Sequence, residues 1–460
     1  MVKKMSKIGW YVIKKSGEYD CQLPQLSEEE QEFLAIFADR FAEYSKINDV
    51  SETSKAKQAI ETLIKEVLEQ EGFETDSEQL DYLTKAAFYH ISGYAPLDNI
   101  ILDPNVEEIA IYGINKPVMV YVRKKGWLRA NCFIDSLDYL IHLINKMGRN
   151  LGRRITTQSP RLNAILSQGH RLHASIPPIT EGEMTIRLHS SKPWSIAEIL
   201  KSGSTSAEIL GFLWLAFQSD SSILVVGNTA SGKTTLLNSL FSFVPINERV
   251  IIIEDTPEIK IEHKHKLTMI ANEELDITIA DLVRDSLRMR PDRVIAGEIR
   301  TKEEVEALIE TLLSGQARGS YATFHAQSAD EALKRLENLG AYKDDLKSID
   351  FIIVQRRISK YDKKTKKQQE IRKMIGVYMI DKDKQVPTPI PIFSYDIKND
   401  KFQSTSALKD ALDRIATKLG LDYKSIFAIY KERVKFLEKL DEKDCLKKIQ
   451  QFAYGEYSET

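Results

Sequence analysis

"SILVVGNTASGKTTLLNSL", Ser222 to Leu240, runs from an apolar strand-like stretch into a helical one, with Gly227, Gly232, Lys233 and Thr234 between them at the G-x-x-x-x-G-K-T spacing. The spacing has a physical cause. Glycines let the backbone wrap an anion with its N–H groups, the lysine reaches terminal phosphates, and the threonine offers a hydroxyl to Mg²⁺ at a positive helix N-terminus. Gly227, Asn228, Thr229, Ala230, Ser231, Gly232, Lys233, Thr234 and Thr235 are therefore the candidate nucleotide-binding residues. A glycine turn that happens to contain lysine would not also sit between a strand and a helix in this order.

Outward from the loop, "RVIIIED", "DRVIAGE" and "GSYATFHA" repeat the apolar run, each next to a helical pattern. That alternation predicts a largely parallel sheet covered by helices on both faces. Thr301 with Glu304 and Ser328 with Glu331 mark two helix starts, and Gly315 a stop. A phosphate loop needs carboxylates at neighbouring strand ends to place metal and water. Glu254, beside Asp255, and Glu298 are at such ends, with Gly297 where an aspartate commonly stands. Thr323 and His325 close a further strand, and His325, at what reads as the sheet's edge, is a candidate γ-phosphate sensor. His263 and His265 alternate with lysines in what reads as an exposed strand and receive no role.

Upstream, "SEEEQEFLAIFADRFAEY" carries a capping box at Ser27 and Glu30, and puts Phe33, Leu34, Phe37 and Phe41 on one helix face. Short β-branched runs begin near Asn99. No acidic residue falls between Asp138 and Glu181, while Lys146, Arg149, Arg153, Arg154, Arg161 and Arg171 do. Such a surface suits a polyanion, either nucleic acid or a bound triphosphate. The triphosphate is preferred, because no RNA-reading aromatic motif accompanies the stretch. "SSKPWSIAEILKSGSTSAE" reads as a hinge holding a short helix. Beyond residue 345 a strand pair joined by the basic loop "KYDKKTKKQQEIRK" is expected, then a helical tail from Ser404 to about Phe452.

Length and composition bound the rest. The 460 residues suffice for two to four domains, and 42% hydrophobic content, 29% charged content and a formal charge of -2 describe an ordinary globular chain without a global bias toward nucleic acid or anionic membranes. Cys21, Cys132 and Cys445 are far apart in sequence and odd in number, which fits a reducing cytoplasm rather than a disulfide framework. The N-terminus lacks a signal-peptide apolar run, and "ILGFLWLAF" is too short to span a bilayer.

Four motifs in fixed order, "GNTASGKTT", "IIIEDTPE", "RPDRVIAGEIR" and "YATFHA", resemble the Walker A, Asp box, Walker B and His box of the secretion ATPase superfamily of type II secretion, type IV pili and type IV secretion, archaeal members including archaellum motors above all. "GYAPLDNIILDPNVEEIAIYGINKPVMVYVRKKGWLRAN" and "RLNAILSQGHRLHASIPP" resemble its second N-terminal domain. The resemblance spans roughly residues 90 to 340 and implies an α/β fold: a RecA-like P-loop ATPase domain with a separate mixed α/β N-terminal domain and helical extensions. The division expected is a helical segment 1–95, a mixed α/β domain 96–189, a linker 190–206, an ATPase core 207–345 and a strand pair with helical tail 346–460.

It further implies a homohexamer using ATP and Mg²⁺, docked at the cytoplasmic membrane face on a polytopic inner-membrane platform and acting on pilin-like or secreted substrates. Lys233 would hold phosphates, Thr234 and Glu298 Mg²⁺, and Glu254 the attacking water. His325 would sense γ-phosphate, and Arg161, Arg171 and Arg187 would contact phosphates from the N-terminal domain. Arg300 would serve coupling or an interface. Many relatives carry a second histidine seven positions before the last; here that position is Arg318. A nucleic-acid translocase of the conjugation type is the alternative reading, and a small-molecule kinase or GTPase a weaker one, since no N-K-x-D follows the loop.

Overall fold

The computed structural model describes residues 10–12, 18–23, 26–48, 53–72, 75–123, 125–149, 153–166, 169–188, 193–272, 275–362 and 366–455. Two compact units divide the chain, Met1–Ser191 and Lys192–Thr460.

The first unit holds a seven-stranded antiparallel sheet built from β1 (Trp10–Val12), β2 (Val106–Ile111), β3 (Pro117–Val122), β4 (Gly126–Ile134), β5 (Arg161–Ile165), β6 (Arg171–Ser175) and β7 (Glu183–Arg187), in the order β1-β4-β3-β2-β7-β6-β5. Its strands alternate buried and partly exposed residues, as in β3, because one face packs on helices and the other meets solvent. The N-terminal helices do not stand apart from this sheet: Phe37 and Ile64 share one core with Ile109 and Leu143. The capping box at Ser27 and Glu30 forms, and Phe33, Leu34, Phe37 and Phe41 are buried.

In the second unit nine strands form one sheet. They are β8 (Ile223–Gly227), β9 (Val250–Glu254), β10 (Lys266–Ile270), β11 (Arg293–Ile299), β12 (Gly319–His325), β13 (Phe351–Asp362), β14 (Lys367–Asp381), β15 (Thr388–Asp396) and β16 (Lys401–Ser404), ordered β10-β9-β11-β12-β8-β13-β14-β15-β16. From β10 to β13 every pairing is parallel, and from β13 to β16 every pairing is antiparallel. Successive residues of β8 serve opposite cores, Ile223 and Val225 in one and Leu224 and Val226 in the other. That is why these runs are apolar without alternation.

Three expectations need correction. The basic "KYDKKTKKQQEIRK" is mostly strand, since β13 and β14 pair from Phe351↔Met379 out to Asp362↔Lys367. Two further strands, β15 and β16, extend the same sheet. His263 precedes β10 and is 2% exposed rather than solvated, packed edge-on to Phe241, and burial pushes its imidazole down to about 4.

The helix Ala207–Gln218 is apolar all round because it is enclosed. Its Trp214 stacks on Phe243 at 4.8 Å, meets Phe436 and Phe452 of the C-terminal helices at 5.8 Å each, and has the Arg433 guanidinium 4.8 Å from its ring centroid. No helix among the described residues is long and apolar enough to cross a membrane.

Candidate nucleotide site

The loop between β8 and the helix Lys233–Leu240 turns on Ala230 and Gly232, at φ 57° and 91°. Gly227 is obligatory for a different reason. A Cβ there would stand 1.9 Å from the Gln355 carbonyl oxygen, because β13 runs directly beneath the loop. Lys233 folds its ammonium over the Gly227 and Asn228 carbonyls, at 3.3 and 3.5 Å. Asn228 is a tether: its side chain donates to the Arg357 carbonyl at 3.1 Å and accepts from the Arg357 N–H at 2.9 Å.

Both carboxylates expected at the strand ends are there, in unlike surroundings. Glu254 is 3% exposed; its Oε1 accepts from the Glu258 and Ile259 N–H groups at 2.9 Å each, while its Oε2 is buried without a hydrogen-bond partner among the described residues. Burial, reinforced by the Glu258 and Asp255 charges and only partly offset by the two N–H donors, pushes it up to about 7. Glu298 goes the other way. Burial opposes its ionisation, but the hydrogen bond and charge of Arg300, then His325 and Lys233, hold it below the usual carboxylate value. Arg300 contacts Glu298 and reaches Asp255 at 2.9 Å, so it bridges the two acidic strand ends.

Gly297 is explained by the register. β11 pairs with β12 as Ala296↔Ala322 and then Glu298↔Thr323, so Gly297 is the extra residue of a β-bulge. A side chain there would meet Glu254 Cγ and the Ile253 oxygen, each at 3.1 Å, and Thr323 holds the Gly297 carbonyl at 2.6 Å. The bulge re-aims Glu298 toward the loop, and glycine is what lets Glu254 lie alongside.

His325 ends an interior strand, not a sheet edge: it pairs across to Gly227, the first loop residue, and contacts Glu298. Burial and the Lys233 charge lower its proton affinity, Glu298 partly restoring it. Thr234 donates to Glu258 at 3.1 Å. Sequence reading passed over Glu258, although it lies in the same acidic box. It also passed over Gln355 and Arg372, whose long strand carries no motif; Arg372 Nε donates to the Ala230 oxygen at 2.9 Å.

The residues fit a nucleotide with a hard cation. A lysine and glycine cradle would face the phosphates, and the Thr234 hydroxyl and Glu298 carboxylate are oxygen donors of the kind Mg²⁺ takes singly, beside phosphate oxygens.

In the first unit Arg161, Arg171 and Arg187 share the partly exposed face of β5, β6 and β7. Arg171 and Arg187 are direct cross-strand neighbours, whereas Arg161 pairs with Ser175 at the other end of the hairpin, about 13 Å along the strands. Between them His173 bonds Asn163 at 2.7 Å and lies 3.5 Å from Glu183. Lys146 does not belong to this surface. It is partly buried and caps a helix C-terminus through the Ile91 carbonyl at 2.6 Å, and burial pushes it down to about 8. Arg318 lies at the opposite end of β12 from His325, bonded to Glu248 at 3.0 Å.

A phosphate loop whose strand is separated by one strand, β12, from the carboxylate-bearing β11 defines a P-loop nucleotide-binding protein with a RecA-like core. Residues 136–391, over half of the chain, match the family described as Type II/IV secretion system protein, and the chain belongs to that family, the secretion ATPases. The uncharacterized protein MJ0781 of Methanocaldococcus jannaschii is 35% identical over 243 residues, 50% of this chain but only 34% of that protein's length. The type IV secretion system protein PtlH homolog of Bordetella bronchiseptica is 32% identical over 260 residues, 50% of this chain and 76% of that protein. The solved Legionella pneumophila ATPase DotB is 18% identical, covers 72% of this chain and 84% of its own, and superposes with a TM-score of 0.44.

Proposed function

We propose that the protein is a ring-forming, homohexameric ATPase motor that drives assembly of a pilus-like or archaellum-like filament, or secretion through a related machine, from the cytoplasmic face of a membrane. The observation that carries the reading is the division between two carboxylates at neighbouring strand ends, one holding its proton up to about 7 and one ringed by cations.

In this reading Lys233 and the loop N–H groups bind the triphosphate. The free Oε2 of Glu254 takes the proton of the attacking water, and His325, beside Gly227 and in contact with Glu298, senses whether the terminal phosphate is present. Mg²⁺, when bound, supplies charge neutralisation at the phosphate oxygens. Arg300 neutralises Glu298 and Asp255 while no nucleotide is present, and is released to an interface when one arrives. Arg161, Arg171 and Arg187 offer guanidinium groups to a phosphate chain. A polytopic membrane protein would anchor the ring.

The test is phosphate release by purified protein. Lys233→Ala and Glu298→Gln are each expected to abolish turnover, and wild-type rates in either would end the catalytic claim. The exposed arginine face also fits a nucleic-acid translocase. Salt-sensitive stimulation by DNA would favour that motor, and stimulation by anionic lipid vesicles the secretion motor.

A further inference from the structure

The geometry points to Gln355 of β13 as a positioning residue that sets one peptide of the phosphate loop and ties it to the chain segment entering the unit. Its single side-chain amide nitrogen donates in two directions, to the Ser231 carbonyl oxygen at 3.2 Å and to the Ser204 hydroxyl oxygen at 3.2 Å. Gln355 is 3% exposed, so neither bond competes with water, and its Oε1 is buried with no partner among the described residues. A buried amide left half-satisfied is costly, so it persists only where the arrangement is imposed by its surroundings.

Here the imposing feature is the register of the strands. β13 pairs with β14 as Val354↔Gly376 and then Gln355↔Met374, a bulge whose extra residue, Ile375, lies on β14 and bends that strand opposite Gln355. The same stretch of β14 grips both ends of the link. Arg372 holds the Ala230 oxygen at 2.9 Å, the Lys373 ammonium donates to the Gly203 oxygen at 2.7 Å, and the Met374 N–H donates to the Ser204 oxygen at 2.8 Å.

The consequence for binding follows from peptide geometry. A trans peptide carries its C=O and the following N–H on opposite sides. Gln355, holding the Ser231 carbonyl on the strand side, therefore turns the Gly232 N–H toward the inside of the loop, where a phosphate would bind. Any shift of that peptide on nucleotide binding is passed through one amide group to Ser204. Gln355 thus acts on the phosphates through the loop and on the hinge through Ser204.

The experiment uses the full chain and a non-hydrolysable ATP analogue. Gln355→Met keeps length and removes both donors; KM for ATP is expected to rise about tenfold, the equivalent of about one hydrogen bond, with kcat within about twofold. Hydrogen exchange at the Ser202–Ser206 amides is expected to slow several-fold on analogue binding in the wild type and to be unresponsive in Gln355→Met at saturating analogue. Ser204→Ala, which removes one hydroxyl outside the nucleotide site, is expected to keep KM near the wild-type value and lose most of the exchange response; it decides the matter if Gln355→Met does not fold. An exchange response in Ser204→Ala equal to the wild type, or none in the wild type itself, overturns the proposal. So does an unchanged KM in folded Gln355→Met.

Discussion

β11 and β12 carry charged residues at both ends, and the two ends are finished differently. At their N-terminal ends Arg293, 0% exposed, bonds Glu248 at 2.6 Å, pairs with Asp220 at 3.2 Å and reaches the Tyr321 hydroxyl at 3.2 Å, while Arg318 closes on the same Glu248. At their C-terminal ends Glu298 and His325 meet beside Glu254, whose second oxygen has no protein partner among the described residues. One end is a closed network whose charges are matched within the protein; the other holds charge in reserve for something that arrives. Buried groups left unmatched are where chemistry is to be sought, and the contrast within one pair of strands separates structural from functional charge without reference to any relative.

The contrast breaks most decisively at Glu254. Glu254→Gln is expected to lower kcat by about 10²–10⁴-fold, the range for loss of a general base, with nucleotide affinity kept. Wild-type kcat should rise as pH increases through about 7, and this limb should vanish in the variant. The sign for stability is opposite to that of a salt-bridged carboxylate. Because the folded value is raised above the unfolded one of about 4.3, the protonated carboxyl's contribution is fully present below that pH and is lost as pH passes about 7. Thermal melts of the nucleotide-free protein at pH 5 and pH 8 should show Glu254→Gln gaining on the wild type more at pH 8 than at pH 5, because the contribution falls progressively between about 4.3 and about 7.

At the closed end Arg293→Ala leaves the buried Glu248 with only the half-exposed Arg318 and is expected to cost about 3–5 kcal/mol in denaturant unfolding. Gly297→Ala crowds Glu254 and the Ile253 carbonyl and is expected to cost about 1–3 kcal/mol, displacing the pH midpoint of kcat as it does so. Arg318→Ala, at a side chain 52% exposed, should cost only about 0.2–1 kcal/mol, read in the same unfolding experiment. Should Arg318→Ala instead depress kcat selectively, the division between the two ends fails.

The loop, both carboxylates and His325 were legible because each lies at the end of an apolar run, where spacing and period locate it. The structural reason for Gly297 was not, because a bulge adds one residue to one strand and leaves no periodic trace. Lys146 read as surface charge because sequence does not show that its neighbours across the fold are helix-end carbonyls. β13 and β14 were shortened at the sequence level by their polar residues. In the fold those residues lie on a long two-stranded ribbon whose Tyr361, Gln368 and Glu370 are exposed, and its inner part reaches back to the loop through Gln355, Arg357 and Arg372. Cys21 and Cys132, remote in sequence, are neighbouring buried thiols, brought together where the segment around Tyr19 runs beside Ala130 of β4.

Trp214 makes the C-terminal helices visible from inside. An indole enclosed by Phe243, Phe436 and Phe452, with a guanidinium against its face, emits according to whether those helices are seated, so the part of the four-tryptophan emission that Trp214→Phe removes follows their docking with no added dye. Trimming the chain just past the family match at residue 391 would strip away Phe436, Phe452 and Arg433 together, turning an apparently dispensable tail into the loss of one wall of the hydrophobic interior.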